Sequence, residues 1–361
     1  MAYLELEALS KHFKREKALD GLSLGIEKGE FLVVFGPSGS GKTVLLRLLA
    51  GVMEPTSGDI RLNGQSLLPL GPEKRDVAMA FQNFALYPHL SAFENIASPL
   101  RARRLEEAEV ERRVREVAEL LRIDHVLKHY PRELSNGQKQ RTSLARSLVR
   151  RPSVLLLDDP LRNVDAKIRY EMRLELPRVL RSYQATVLYV TQDYKEAMAL
   201  GDRVGVLFEG RFQQVDTPGG IYGNPSSVEV ARLFGDPPIN LLPVRPRRKN
   251  GGLVIDLGGS ELPAPPALAQ AVDRDCLLGL RPEDVAMALK PQPGAIPVTL
   301  EAVTPLNVRT VTLLKARDQS EILSSCPEDE APADLRPHRE LWARIDLDRA
   351  VCFDRASGRR L

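Results

Sequence analysis

A phosphate-binding pattern occurs in GPSGSGKT, residues 36–43. The apolar run FLVVF (31–35) precedes it and the helix-like TVLLRLLAGV (43–52) follows, so the glycine loop lies between a strand and a helix. Glycines let the backbone turn its N–H groups toward phosphate oxygens, and the helix N-terminus adds partial positive charge. Lys42 can reach the β- and γ-phosphates, and Thr43 offers a hydroxyl to Mg²⁺. The residues predicted to bind a nucleotide here are Gly36, Pro37, Ser38, Gly39, Ser40, Gly41, Lys42 and Thr43.

The acidic stretch LLLDDPLRNVD, residues 155–165, can complete such a site. Its apolar residues predict a buried strand, and Asp158 at the end of that strand can hold Mg²⁺ through water. Asp159 is a second acid directly after it. Core strands often end in aspartate, so this pattern is weak alone. Together with the glycine loop it predicts a site for ATP and Mg²⁺.

Strand-like and helix-like patterns alternate around these motifs. VLLLD (154–158), ATVLYVT (185–191) and RVGVLFEG (203–210) read as further buried strands, and 101–123 is amphipathic with a solvated charged face. Alternation of strands with helices predicts an α/β fold with a parallel sheet.

The composition and hydrophobic pattern of the sequence change near residue 235, where proline, glycine and short alternating runs replace long helical patterns. Such runs predict a small β-rich domain with hairpins, resembling an OB fold. We therefore expect an ATPase domain over 1–235, with a helical subdomain at about 85–150, and a C-terminal domain over 236–361. The chain of 361 residues is long enough for two cores.

Composition excludes several classes of protein. The net charge of +3 comes from nearly balanced acids and bases, so bulk charge gives no argument for a nucleic-acid partner. No apolar run is long enough for a membrane-spanning helix, and the N-terminus has no signal-peptide core. A membrane role would thus depend on partner proteins. The three cysteines are scattered without metal-binding spacing, which fits a reducing cytosol.

Several motifs occur in a fixed order that resembles the ATP-binding subunits of ABC transporters. LSNGQKQR (134–141) is similar to that family's signature, Gln82 to its Q-loop glutamine, and Asp165 to its D-loop aspartate. Phe13 lies where the family has an aromatic that stacks on adenine, although a core aromatic is the alternative for this residue. The segments GPSGSGKT, ALYPHLS, INLLPV and LGLRPEDV resemble those of the sugar-importer branch of this family, the maltose-type ATPases.

The resemblance implies an assembly. Maltose-type ATPases form dimers in which each ATP lies between the phosphate loop of one subunit and the signature of the other. They act at the cytoplasmic face of the plasma membrane on two transmembrane permease subunits, which receive a carbohydrate or polyol from an extracytoplasmic substrate-binding protein. Gln82 would relay the nucleotide state through Tyr87–Leu90. The implied metal ligands are Thr43, Gln82 and Asp158, and the implied signature residues are Ser135, Asn136, Gly137 and Gln138.

Four positions depart from the family pattern. Asp159 replaces a glutamate that polarises the attacking water, and its stem is shorter by one methylene, about 1.5 Å. Gln192 replaces a histidine that contacts the γ-phosphate, and an amide cannot carry that charge. A misplacement of about 1 Å can cost about a hundredfold in rate, so the shorter Asp159 is expected to slow hydrolysis. Asp159 and Gln192 are therefore the predicted catalytic residues, and both are altered from the family pattern. Asn136 replaces a glycine, where tolerance of unusual backbone angles would matter, and Arg162 replaces a serine.

These departures leave three interpretations of the assembly. A heterodimer would pair this chain, as the half with the impaired hydrolytic site, with a second, non-identical ATP-binding subunit that carries the usual glutamate and histidine. Arg162 in the D-loop favours such a partner. A homodimer with slow turnover and a non-hydrolytic regulatory subunit are the alternatives. The short separation of Thr43 and Leu134 excludes chromosome-maintenance ATPases, whose long coiled-coil arms lie between the same two motifs.

Overall fold

The computed structural model describes residues 2–14, 16–332 and 335–361. The chain divides into two compact units, Met1–Pro218 and Gly219–Leu361. Each unit has its own apolar core.

The described residues of the first unit form ten strands and six α-helices. Its strands are β1 (Leu4–Phe13), β2 (Glu16–Ile26), β3 (Phe31–Phe35), β4 (Ser57–Leu62), β5 (Gln65–Ser66), β6 (Val77–Ala80), β7 (Val154–Asp158), β8 (Thr186–Thr191), β9 (Arg203–Phe208) and β10 (Arg211–Asp216). Its helices are α1 (Lys42–Ala50), α2 (Ala92–Ala102), α3 (Glu107–Leu120), α4 (Asn136–Leu148), α5 (Ala166–Ser182) and α6 (Tyr194–Leu200).

A six-stranded sheet with the order β10-β9-β3-β8-β7-β6 positions the phosphate motifs. Strand β3 pairs in parallel with β8 and β9, and β7 pairs in parallel with β6 and β8, which confirms the predicted parallel sheet. Only its edge pair, β9 with β10, is antiparallel. Because β3, β8 and β7 are neighbours and parallel, their carboxyl ends meet at one edge of the sheet. The glycine loop, Gln192 and Asp159 follow those three ends in the chain.

A second sheet, with the order β2-β1-β4-β5, is antiparallel and was not predicted. Strand β1 buries Leu4, Leu6 and Leu9, but its register with β2 shifts between Leu6 and Leu9. That irregularity interrupts the two-residue alternation by which a half-buried strand is recognised. The apolar side of this sheet belongs to the same core as α1.

The amphipathic segment 101–123 contains the end of one helix and the whole of a second. Helix α2 ends at Ala102 and α3 begins at Glu107. The apolar face of α3 buries Val110, Val114 and Val117, whereas its charged face carries exposed ion pairs such as Arg112 with Glu109. The helices α2 to α4 lie within the segment predicted as a helical subdomain.

The second unit consists mainly of strands, as predicted. It begins with two short helices, α7 (Pro218–Gly223) and α8 (Val228–Leu233). Its strands are β11 (Asn240–Val244), β12 (Arg247–Lys249), β13 (Gly252–Leu257), β14 (Ser260–Pro263), β15 (Cys276–Leu280), β16 (Val285–Ala288), β17 (Ala295–Leu306), β18 (Arg309–Ala316), β19 (Glu321–Pro327), β20 (Glu340–Ile345) and β21 (Val351–Asp354). They form antiparallel sheets in the orders β11-β15-β21, β12-β13-β14 and β16-β20-β17-β18-β19.

This unit begins at Gly219, before the predicted boundary at residue 235. The buried Arg281 accounts for the difference, because its guanidinium donates hydrogen bonds to the backbone carbonyls of Tyr222, Ala231 and Phe234. It also lies 4.0 Å from the centre of the Tyr222 ring. One cation thus fastens the segment of α7 and α8 to the strands that follow.

Over the described part of the chain, no helix combines the length and the apolarity needed to cross a bilayer.

Candidate nucleotide-binding site

The glycine loop can form only because Gly36 and Gly41 carry no side chain. A Cβ on Gly36 would lie 2.1 Å from the carbonyl oxygen of Leu207. Gly41 has φ +103°, and a Cβ there would lie 2.5 Å from the carbonyl oxygen of Ala18. The loop therefore lies close to the backbone of neighbouring strands, and α1 begins directly after it at Lys42. A helix N-terminus at this place attracts phosphate oxygens.

Lys42 is held over the loop. Its Nζ donates to the carbonyl oxygens of Gly36 and Pro37, at 2.8 and 2.7 Å, and to Ser40 Oγ at 3.2 Å. Burial lowers the pKa of Lys42 to about 8, although the carboxylates of Asp159 and Asp158 act in the opposite direction. A polyanionic nucleotide adds further negative charge and favours the ammonium form.

The magnesium ligands predicted from the sequence lie in one place. Thr43 Oγ1 donates to Asp158 Oδ1 at 3.2 Å, and Gln82 lines the same cavity. Burial raises the pKa of Asp158, while the Thr43 hydrogen bond opposes this shift. Hydroxyl, carboxylate and amide oxygens suit Mg²⁺, so these residues fit that ion. No cluster of three His, Cys, Asp or Glu side chains able to hold a metal occurs within the described ranges, so phosphate oxygens and water would complete the shell.

Asp159 lies beside the magnesium ligands in a constrained backbone conformation. Its φ of +43° is left-handed, which aspartate tolerates better than most residues. Its N–H donates to the carbonyl oxygen of Val190 at 2.9 Å, so β8 fixes its position. The side chain is buried, and this burial together with the nearby Glu196 carboxylate raises the pKa of Asp159 to about 6.

Sequence reasoning missed Glu196. Its side chain is 1% exposed and its Oε2 accepts hydrogen bonds from the Tyr189 hydroxyl at 2.7 Å and from Thr191 Oγ1 at 2.8 Å. Burial also raises the pKa of Glu196. The available signal was a glutamate on the same face of α6 as Leu200, four residues later, which is buried.

One cavity of about 420 Å³ brings most predicted site residues together. Phe13 is 42% exposed on its wall, so it is not a core aromatic. Gln192 and Arg162 also line the cavity, and the position of Arg162 there was not predicted. The predicted residues on the wall are Phe13, Ser38, Gly39, Gly41, Lys42, Thr43, Gln82, Asp158, Asp159 and Gln192.

The signature residues lie elsewhere, at the start of α4. Ser135 caps the helix, since its Oγ accepts from the Gln138 N–H at 3.2 Å while Gln138 Oε1 accepts from the Ser135 N–H at 2.9 Å. Asn136 is the first residue of α4 and is not among the described residues with positive φ, so the replacement of the family's glycine requires no unusual backbone angle here. A Cβ on Gly137 would lie 3.0 Å from Ile168, so a glycine suits this close approach.

The D-loop and the Q-loop are joined by side chains that sequence reasoning also missed. Asp165 caps α5, where its Oδ1 accepts from the Ile168 N–H at 3.0 Å. Asn163 Nδ2 donates to the carbonyl oxygen of Gln82 at 3.0 Å. Arg146 on α4 donates to the carbonyl oxygen of Ala85 at 2.7 Å. Hydrogen bonds thus connect the Q-loop, whose Gln82 lines the nucleotide cavity, to both the D-loop and the signature helix.

Known proteins share this combination of site and fold. Residues 19–162 match the ABC transporter family, and residues 235–285 match the MalK OB fold domain. An sn-glycerol-3-phosphate import ATP-binding protein, UgpC, of Escherichia coli is 38% identical over 100% of both chains. The chain is an ABC transporter ATP-binding subunit of the maltose-type importer branch.

Other ABC proteins are also similar to this chain. UgpC of Cereibacter sphaeroides is 38% identical over 100% of both chains. The osmoprotective compounds uptake ATP-binding protein GgtA of Synechocystis is 37% identical over 98% of both. The solved dimeric structure of the bacterial ABC transporter cassette MJ0796 is 28% identical, with a TM-score of 0.55 over 60% of this chain and 98% of that one.

Family membership confirms the predicted fold class, a P-loop ATPase domain followed by an OB-like domain. ATP with Mg²⁺ is the substrate complex of ABC ATP-binding subunits, as predicted. This chain is therefore an ABC-type ATPase. The individual roles assigned to the site residues stay predictions.

Proposed function

We propose that this chain energises the import of a carbohydrate or polyol, including phosphorylated ones such as sn-glycerol-3-phosphate. The observation that carries the proposal is the full-length similarity to UgpC proteins, with which the nucleotide cavity is consistent. Lys42 and the glycine loop bind the phosphates, Thr43, Asp158 and Gln82 hold Mg²⁺, and Phe13 stacks on the adenine.

The chain acts at the cytoplasmic face of the plasma membrane, as importer ATP-binding subunits do. Two transmembrane permease subunits dock on it, and an extracytoplasmic substrate-binding protein delivers the solute to them. Nucleic acid is not a partner. The loop between Gln82 and Leu90 is the contact to the permeases, and its connection to α4 through Arg146 supports this role because the signature belongs to the same helix.

An uptake assay tests the proposal. Source cells that lack this chain should lose uptake of labelled sn-glycerol-3-phosphate or of a labelled sugar, and the wild-type chain should restore it. Lys42→Ala should not restore uptake and should abolish Mg-ATP binding in calorimetry, because it removes the ammonium that the glycine loop itself holds in place. Lys28→Ala, a change at an exposed position, is the matched control. Unchanged uptake of these solutes in cells without the chain would contradict the proposal.

We also propose that this chain hydrolyses ATP slowly at its own cavity. The short stem of Asp159 and the neutral Gln192 support this, since both line the cavity together with Lys42. The signature at α4 keeps a complete helix cap, so the half-site offered to a partner is usable.

The partner ATPase is either a non-identical subunit with the usual glutamate and histidine or a second copy of this chain. The heterodimer stays a prediction from Asp159 and Gln192. Purification of the assembled transporter followed by intact-mass measurement tests it: two different ATPase masses support the heterodimer, and a single one contradicts it.

A further inference from the structure

Arg162 lies in the nucleotide cavity rather than on a remote surface. It follows Asp159 by three residues, and its backbone N–H donates to the Asp159 carbonyl oxygen at 3.3 Å. Its Nη1 lies 3.9 Å from Asp159 Oδ2, and its side chain lines the cavity with Lys42 and Gln192. A second cation besides Lys42 therefore lines this cavity, at a position where the resemblance predicts a serine.

The ion pair with Asp159 is too weak to immobilise this guanidinium. The Arg162 side chain is 53% exposed, whereas that of Asp159 is 11% exposed. A half-exposed ion pair at this distance contributes little to stability, less than a charge-assisted contact to phosphate. Arg162 is therefore the movable half of the pair, and a nucleotide can draw it away from the carboxylate.

Arg162 adds positive charge to a cavity in which a neutral glutamine replaces the family's histidine. Hydrolysis places negative charge on the γ-phosphate oxygens, and Gln192 is neutral. In other phosphate-loop NTPases a glutamine orients the attacking water, while an arginine of the same chain or of a partner stabilises the developing charge. Gln192 and Arg162 both line this cavity, so this chain supplies both a glutamine and an arginine there.

We propose that Arg162 contacts the γ-phosphate of ATP and supplies, within this chain, the positive charge that Gln192 cannot. The inference rests on the proposed function and deepens it, because the slow hydrolysis at this cavity then depends on Arg162. The reaction itself is unchanged. The water oxygen bonds to the γ-phosphorus, the bond to the bridging oxygen breaks, ADP leaves with that electron pair, and the water proton passes to the released phosphate.

Steady-state hydrolysis by the purified full chain is the first measurement. Arg162→Ser should lower kcat at least tenfold, and Arg162→Lys should retain part of the rate because it keeps a charge without the planar fork. Arg181→Ser removes a comparably exposed arginine paired with Asp202 and should leave kcat within twofold. Retention of the Tm shows that each variant is folded.

Two further readouts separate a phosphate contact from a structural role. In calorimetry without magnesium, Arg162→Ser should weaken ATP binding about fivefold and leave ADP binding within twofold, because only ATP has a γ-phosphate. In a Gln192→His background, where the histidine carries the charge, Arg162→Ser should lower kcat less than threefold. This coupling is not expected of a residue that only shapes the loop.

The inference is overturned if Arg162→Ser leaves kcat and the ratio of ATP to ADP affinity unchanged while Lys42→Ala still abolishes ATP binding. In that case the proposed function stands without Arg162. A wild-type chain that does not bind ATP would instead contradict the proposed function itself.

Discussion

At the scale of single residues, Asp159 joins a short carboxylate to a backbone conformation that the neighbouring strand imposes. Its N–H is bonded to β8, so the carboxylate cannot approach the phosphates by a backbone shift alone. Gln192 follows the same strand. Strand β8 thus positions both altered residues, and we expect them to act on the same water.

Restoring both residues should raise hydrolysis. Asp159→Glu together with Gln192→His should increase phosphate release at saturating ATP at least tenfold, which corresponds to about 1.4 kcal/mol of barrier. The longer stem places the carboxylate about 1.5 Å farther into the cavity, and the imidazole supplies a charge. Each single change should recover less than threefold because the two groups act as a unit. Unchanged turnover in the double variant would show that neither side chain limits the rate, whereas Lys42→Ala in the same background should remove it.

At the scale of elements, one buried amide holds the C-terminal part of the loop from Gln82 to Leu90. Asn95 is fully buried in α2; its Nδ2 donates to the carbonyl oxygens of Tyr87, Leu90 and Ser91, and its Oδ1 accepts from the Tyr87 N–H. These bonds give an irregular loop a defined shape without regular secondary structure.

Asn95→Ala should loosen this loop. Hydrogen exchange of the amides from Tyr87 to Leu90 should become at least tenfold faster, about 1.4 kcal/mol of local stability, because the loop carbonyls lose their partner. Mg-ATP affinity should stay within twofold, since Asn95 is not in the cavity wall. Asn83→Ala, at an exposed position of the same loop, is the control. Unchanged exchange at Tyr87 would show that the loop is held by other contacts.

Arg281 has the corresponding role in the second unit. Arg281→Ala should destabilise that unit by about 2–4 kcal/mol, because three backbone carbonyls lose a charged donor in a buried place. Scanning calorimetry of the whole chain should show a transition lowered by several degrees. Arg355→Ala, at a side chain that is 55% exposed, should change the stability by less than about 0.5 kcal/mol. Equal effects of the two substitutions would contradict this role of Arg281.

At the scale of the whole molecule, nucleotide binding belongs to the first unit. Every residue of the cavity wall precedes Pro218, and the last of them is Gln192. The segment with α7 and α8 belongs to the second unit, so a fragment ended at residue 235 would carry helices without their partners.

A chain ended at Pro218 should therefore bind Mg-ATP within threefold of the full chain, as measured by calorimetry. The same fragment with Lys42→Ala should not bind. A fragment with native circular dichroism that fails to bind ATP would show that the second unit contributes to the site.

The sequence alone determined the phosphate loop, the strand that ends at Asp158 and the parallel sheet. Local spacing is enough for these, because a glycine loop between an apolar strand and a helix has few alternatives. It also determined the change to a β-rich second unit, since proline, glycine and alternating runs exclude long helices.

Only the tertiary structure decided which side chains meet. The antiparallel sheet of β1 was hidden by its register shifts, and α8 belongs to the second compact unit because Arg281, distant in sequence, holds it. From the sequence, Arg162 was assigned to the D-loop at the interface with a partner, and Glu196 was given no role. Their positions in and behind the nucleotide cavity depend on how β7, β8 and α6 pack, and such long-range contacts leave no periodic trace in the chain.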